Sequence, residues 1–452
     1  MATLTGPVDG PAMSSVAGAV EKVGAIEEEW FIEGTASGFR LAGSATEYRA
    51  DGRWAAERSS QQTFRTRLLV LRPSDAARFN GTVVVNWNNV SAGEIFEPAR
   101  SAARLVEDGV VLAGVSAQRI GVEGAGGSGG TGFQMPALKA DDPQRYGSLK
   151  HPGDDYSYDI FTQAAQLLGP NRPGDPDPLP GFAVSHVVAT GGSQSGARLM
   201  TYFNGVQPLD SFFDGFLLTV SPNAPCALDA ATALESLPRM GGPNPFALLD
   251  WNTYLLRDDL ITPIIVLNSE AEAIDCYPNT QSDSDHVRVW EIAGAGHAGT
   301  LSAEEFAEHR ALAGIPHSEI CFAAAKRGAV HSLHQWINSG QAPPRQPRIE
   351  RRTDDPAFAR DDHGNAIGGI RWPDLEAPLG THRAEPEPGG PPFGLGYSTP
   401  FSVEKVRSLY PDHAAWFAKY KAAVDHLVDT EVIHPGDAAD MYARAETADL
   451  PT

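Results

Sequence analysis

Ser185-His186-Val187-Val188-Ala189-Thr190-Gly191-Gly192-Ser193-Gln194-Ser195-Gly196-Ala197-Arg198-Leu199-Met200 is the stretch whose reading decides the fold. Its first six residues, centred on Val187-Val188-Ala189, fit a buried strand. Its last four open a helical pattern. A strand that runs straight into a small-x-Ser-x-small segment and straight out as a helix has the context of a nucleophile elbow. The small residues are needed because the Ser backbone is strained there and its neighbours crowd the turn. Such a turn lifts the hydroxyl above the sheet and sets the Gln194 N–H where an oxyanion would develop, with the positive end of a helix behind it. Two registers are available. Gly191-x-Ser193-x-Ser195 places glycine at the tightest position and is preferred; Ser193-x-Ser195-x-Ala197 would present Ser195 instead. A turn that only packs, or that binds phosphate, is the alternative, but neither a G-x-G-x-x-G run nor a P-loop Lys is present.

Outward from the elbow the chain alternates. Upstream, Trp30-Phe31-Ile32 and Thr63 to Leu71 have strand character, and Asn80-Gly81 turns the chain into the buried run Thr82-Val83-Val84-Val85. A helix is expected over Glu94 to Glu107, a strand over Gly109 to Val115 and a helix over Asp159 to Leu168. Downstream follow a helix over Ser195 to Asn204 and strands over Phe213 to Val220, Pro263 to Leu267 and Val287 to Ile292. Short apolar strands alternating with helices imply an α/β fold, a mostly parallel central sheet flanked by helices. Residues 1–25 are a weakly patterned lead-in, 26–340 the core, and 341–452 a C-terminal extension packed on it, helical from Pro400 to Ala443. Two segments break the alternation, an excursion at 120–155 and the Pro- and Gly-dense stretch Gln341 to Gly396, and a lid is expected from 223–260.

A serine hydroxyl is nearly inert at neutral pH and needs a base. On a fold of this kind the partners follow the serine in the order acid, then histidine. Past the strand at 263–267 comes Asn268-Ser269-Glu270-Ala271-Glu272, and past the strand at 287–292 comes Ala293-Gly294-Ala295-Gly296-His297. His297, in a Gly/Ala loop at a strand end, is the expected base. Glu272 is preferred as the acid over Glu270, with Asp275 a third candidate; its task would be to fix the histidine tautomer and stabilise the imidazolium. The second oxyanion donor is expected near Asn89, in the loop Asn86-Trp87-Asn88-Asn89-Val90-Ser91-Ala92-Gly93, against the alternative of an Asn-rich turn that satisfies its own backbone. Asn88 and Gln118 are candidate substrate-binding residues, although tying down the long excursion is the favoured reading of Gln118 and Arg119. Tyr156 and Tyr158 read as packing aromatics. His331 and His334 lack an H-E-x-x-H context, so no metal site is expected there.

Composition limits the partners. With 35 Lys and Arg against 57 Asp and Glu, the 452-residue chain carries a formal charge of −22, dispersed rather than gathered in a tail, which argues against nucleic acid and anionic membranes. At 42% hydrophobic and 20% charged residues, the chain can bury a sizeable core. The three cysteines, Cys226, Cys276 and Cys321, show no C-x-x-C spacing; Cys226 and Cys276 could lie close, but unpaired thiols are the expectation. No signal-peptide pattern and no run near the roughly 18 apolar residues of a membrane span are visible, so a cytoplasmic protein is expected.

With these residues in hand, the chain resembles an α/β-hydrolase, and within that superfamily the bacterial "alpha/beta hydrolase domain" subfamily. The resemblance runs from about Phe64 to Ala443. It rests on Phe79-Asn80-Gly81-Thr82-Val83-Val84-Val85, Asn88-Asn89-Val90-Ser91, Val115-Ser116-Ala117-Gln118, Arg145-Tyr146-Gly147, His151-Pro152-Gly153-Asp154, the Gly-x-Ser-Gln-Ser-Gly elbow, Trp290-Glu291-Ile292-Ala293-Gly294 before His297, and Gly364-Asn365-Ala366. It implies Ser193 and His297 as nucleophile and base; the subfamily often has Asp where Glu272 stands.

The expected activity is hydrolysis of a small-molecule carboxylic ester through an acyl-enzyme, with no metal or organic cofactor. Acyl transfer to an alcohol with the same triad is one rival, and a non-catalytic binding protein on this fold is the other. The acyl and alcohol parts stay open, as does the choice between monomer and homo-oligomer.

Overall fold

The computed structural model describes residues 2–91, 94–124, 137–221, 223–229, 253–308, 314–352, 357–385 and 394–450. Parts of the expected excursion (125–136) and lid (230–252) lie outside the described residues. The chain forms two compact units, Met1–Pro263 and Ile264–Thr452.

In the first unit the strands are β1 (Thr3–Thr5), β2 (Ala25–Leu41), β3 (Ala56–Pro73), β4 (Thr82–Trp87), β5 (Val111–Val115), β6 (His186–Gly192) and β7 (Gly215–Thr219), in the sheet order β1-β2-β3-β5-β4-β6-β7. Pairing is parallel from β5 through β4 and β6 to β7. The N-terminal edge is antiparallel: β1 on β2, β2 on β3, and β3 on β5. The lead-in therefore contributes more than its pattern suggests, because Thr3–Thr5 pair with Phe31–Glu33. Every residue of β4, β5 and β7 is buried, which is why their sequences read as largely apolar runs rather than alternations. Asn80-Gly81 makes the turn into β4, with Gly81 at φ 94° and the Asn80 carboxamide accepting from the Thr82 N–H at 2.9 Å.

The helix expected from Glu94 begins only at Ala99 and runs to Glu107. Ile95 is drawn into an antiparallel bridge with Asn89, Pro98 holds the N-cap, and the Glu94 side chain turns inward. Proline suits a helix start because it has no N–H to satisfy. The helix after the elbow spans Gln194–Thr201, is buried along its whole length, and continues as a π-helical turn over Tyr202–Val206.

In the second unit β8 (Ile264–Ser269) and β9 (Val287–Ile292) pair in parallel. Ile292 of β9 bridges to Ile370, and the helix Ala323–Ser339 carries Arg327, which bonds Asp437 at 2.9 Å in the helix Pro435–Glu446. The expected helical tail is present as Val403–Leu409, His413–Asp429 and Pro435–Glu446. Among the described residues no helix is long and apolar enough to cross a membrane.

Candidate active site

Ser193 stands between the end of β6 and the start of the helix Gln194–Thr201, as its N-cap, with φ 58° and ψ −124°. A positive φ on a β-carbon-bearing residue costs of order 1–3 kcal/mol, a strain that persists only where the surroundings enforce it. They do so here through the backbone. The Ser193 N–H donates to the Thr219 carbonyl of β7 at 3.0 Å, and its own carbonyl accepts the Ala197 N–H at 3.0 Å. Neighbouring glycines leave no room for side chains: a Cβ on Gly192 would meet Thr219 Oγ1 at 2.7 Å, and one on Gly196 would meet Ser221 Cβ at 2.8 Å.

Ser195 is different in kind. It is fully buried, its hydroxyl donates to the Gly192 carbonyl at 2.7 Å, and it accepts from the Gly192 N–H at 3.2 Å. It ties the turn together from below. Gln194, first residue of the helix, has a main-chain N–H with no acceptor in its own helix. Its buried side-chain amide has no hydrogen-bond partner at either atom among the described residues.

The loop after β4 behaves otherwise than expected in one respect. The Asn89 N–H is spent on the Ile95 carbonyl at 2.9 Å, so this amide is not an open oxyanion donor. The side chain of Asn89 instead donates from Nδ2 to the Gly192 carbonyl at 2.9 Å, joining the loop to the elbow. Asn88 and Gln118, expected on the substrate surface, are fully buried and bonded internally. Asn88 Nδ2 donates to Glu94 Oε1 at 2.9 Å, and Gln118 Oε1 accepts from Trp87 Nε1 at 2.9 Å. Both brace the ends of β4 and β5. Tyr158 packs its ring at 5.6 Å from Trp87, as a core aromatic.

Sequence reading missed what holds this loop. Glu94 is buried, and its Oε1 accepts from Asn88, from Ser116 Oγ at 2.5 Å and from the buried Arg67 at 3.5 Å. Burial pushes the Glu94 carboxyl upward, against the pull of Arg67 and the hydrogen bonds. A Cβ on Gly121 would sit 2.0 Å from Glu94 Oε2, so only glycine lets the carboxylate lie there. The same pattern recurs under the elbow helix, where buried Arg198 bonds Asp154 of the His-Pro-Gly-Asp motif at 2.9 Å. Neither a lone glutamate nor a lone arginine announces such a role in a sequence.

In the second unit Glu272 and Glu270 face different partners. Glu272 Oε1 lies 2.5 Å from His297 Nδ1, while its Oε2 accepts from the Ser269 N–H at 3.0 Å and the Ser269 hydroxyl at 2.5 Å. Ser269 and Glu272 form a capping box at the start of the helix Glu270–Asp275, so the bonds that begin the helix also aim the carboxylate. The Ser-x-x-Glu spacing is the sequence signal that separates Glu272 from its neighbours. Burial raises the Glu272 pKa, but the His297 charge and the Ser269 bonds outweigh it and leave the carboxyl below its ordinary value. For His297 burial pulls downward and Glu272 pulls upward more strongly, so the imidazole stands above its usual pKa.

Glu270 faces another way. Fully buried, it accepts from the Gly294 N–H at 2.7 Å and pairs with Arg360 at 2.7 Å. It fixes the loop that carries the histidine rather than the histidine itself. That loop is held from two more sides: the Ser318 hydroxyl donates to the Gly294 carbonyl at 2.5 Å, and the His297 N–H donates to the Gly394 carbonyl at 2.6 Å. Asp275 ends the helix, exposed.

No group of three or more His, Cys, Asp and Glu side chains suited to a metal occurs among the described residues. The cysteines form no disulfide among them either.

The chain belongs to the alpha/beta hydrolase domain family, whose pattern matches residues 3–443. It is similar to the brefeldin A esterase, described as a bacterial homologue of human hormone-sensitive lipase, at 13% identity and a TM-score of 0.23. That match covers 42% of this chain and only 40% of the esterase. A dienelactone hydrolase from Klebsiella pneumoniae, itself assigned provisionally, is 13% identical with a TM-score of 0.31, covering 68% of this chain and 99% of that one. Esterases of the fungus Rhizomucor miehei are 11% identical with a TM-score of 0.32, over 69% of this chain and 85% of theirs. No curated protein matches the chain.

Proposed function

We propose that the protein hydrolyses carboxylic esters, with Ser193 as nucleophile, His297 as general base and Glu272 as the orienting acid. The observation that carries this reading is the 2.5 Å contact between Glu272 Oε1 and His297 Nδ1. A carboxylate there accepts the Nδ1 proton, which leaves the lone pair of neutral His297 on Nε2, the state a general base requires. The strained φ of Ser193 at a strand-to-helix turn supports its role as the exposed nucleophile.

In the proposed cycle the Ser193 oxygen attacks the ester carbonyl while His297 Nε2 takes the hydroxyl proton. The tetrahedral oxyanion is stabilised by the Gln194 N–H at the helix N-terminus. His297 returns its proton to the alcohol as the C–O bond breaks, leaving Ser193 acylated. Water then gives a proton to His297 and attacks the acyl carbon, and on collapse His297 returns that proton to the departing Ser193 oxygen, which frees the acid and restores the serine and the neutral histidine. Glu272 stays ionised throughout and balances the transient imidazolium.

A panel of p-nitrophenyl esters of increasing chain length, assayed with the wild type and Ser193→Ala in parallel, tests the proposal. Serine-dependent release of p-nitrophenol is the expected result; equal rates from both proteins would overturn it.

A further inference from the structure

The second unit contains a cleft of about 430 Å³ that takes no part in the proposed ester chemistry. Three arginines line it, Arg345, Arg348 and Arg351, together with Thr280, Gln281, Ser282 and Phe358. The arginines come from one short segment, Pro343-Pro344-Arg345-Gln346-Pro347-Arg348-Ile349-Glu350-Arg351-Arg352, in which three prolines restrict the backbone.

Two of the guanidinium groups are held in place. Arg348 bonds Glu291 at 2.8 Å, and that carboxylate also accepts the Ile349 N–H at 3.0 Å. Arg351 donates to the Ala273 carbonyl and lies against the rings of Phe358 at 4.4 Å and Tyr277 at 4.6 Å. Arg345 is exposed and has no acidic partner among the described residues. The two lining carboxylates are occupied in bracing: Glu291 as described, and Asp283 by accepting the Val289 N–H at 2.8 Å.

Three guanidinium groups share the cleft with two carboxylates. Burial lowers the pKa of Arg351 and Arg288, Glu291 and Asp283 pull them back up, and the neighbouring guanidinium groups of Arg348 and Arg345 act more weakly in the downward sense. Three guanidinium groups on one cleft are complementary to a multiply charged oxyanion, and the cluster stands out in a chain of net charge −22. Planar guanidinium forks match phosphate oxygens in pairs, and forks fixed in advance lose little entropy on binding. The cleft falls within the roughly 300–1,000 Å³ of small-molecule sites, and Phe358 with Ile349 adds an apolar wall.

We infer that this cleft binds the phosphate monoester of a small organic alcohol, the phosphoryl group on Arg345, Arg348 and Arg351 and the organic part against Phe358. Isothermal titration calorimetry of the full-length protein with phenyl phosphate tests it, with inorganic phosphate and benzoate as comparison ligands at constant ionic strength. Phenyl phosphate should bind saturably, with a Kd below about 1 mM, and more tightly than either comparison ligand. Because Arg345 is exposed and unengaged, Arg345→Glu should leave the unfolding temperature unchanged while weakening phenyl phosphate by roughly tenfold or more, and Arg345→Lys should keep most of the affinity. Absence of saturable binding, equal affinity for benzoate or inorganic phosphate, or an unaltered Kd in Arg345→Glu would overturn the inference.

Discussion

Glu272 and His297 meet at 2.5 Å, and the carboxylate that reaches the imidazole is the same one that completes the capping box of its own helix with Ser269. One side chain therefore does two jobs, starting the helix through Oε2 and orienting the histidine through Oε1. Substitution at Glu272 should show both. Glu272→Ala is expected to lower kcat by about 10⁴, in line with loss of the acid from such triads. It should also cost about 1 kcal/mol of stability through the lost cap. Steady-state kinetics and denaturant melts of the same variant separate the two effects.

Ser193→Ala should keep the fold and reduce ester turnover by on the order of 10⁴ or more. Labelling by a fluorophosphonate probe should vanish with it. The probe provides a check independent of substrate choice.

Ser195 tests the register. Its hydroxyl bonds both the N–H and the carbonyl of Gly192. Ser195→Ala should destabilise by about 1 kcal/mol, the usual worth of such a bond, and leave fluorophosphonate labelling in place. If labelling were lost in Ser195→Ala and kept in Ser193→Ala, the nucleophile would be the wrong serine.

The pH profile follows from the direction of the His297 shift. Only neutral His297 can act as base, so kcat/KM should fall as pH drops through its pKa. Because Glu272 holds that pKa above the ordinary histidine value, near 6.5, the acid limb should lie on the alkaline side of it. In Glu272→Gln the charge is gone, and the residual activity should have its limb moved to lower pH.

Gly296 should tolerate no side chain. A Cβ there would stand 2.0 Å from the Leu395 carbonyl, beside the bond from the His297 N–H to Gly394. Gly296→Ala is expected to destabilise by about 1–3 kcal/mol and to lower kcat through displacement of the histidine loop. Retention of wild-type kcat and melting temperature would mean that residues 394–395 do not hold this loop.

By itself the sequence determines the order of strands and helices, the elbow and the positions of Ser193, Glu272 and His297, because these depend on local patterns. Buried strands show as β-branched runs, tight turns as glycine and asparagine, and the acid and histidine follow strand ends. What only the tertiary structure decided is which polar groups far apart in the chain face each other. No local pattern signals the inward turn of Glu94 onto Asn88 and Ser116, the capture of the Asn89 amide by Ile95, or the clamp of Glu270 and Gly394 on the histidine loop. Hydrogen bonds are satisfied by proximity in space, and burial demands that satisfaction wherever the fold creates it. Asn88 and Gln118 are buried, Asn88 bonded to Glu94 and the Gln118 oxygen to Trp87, although their place at strand ends suits a substrate site equally well.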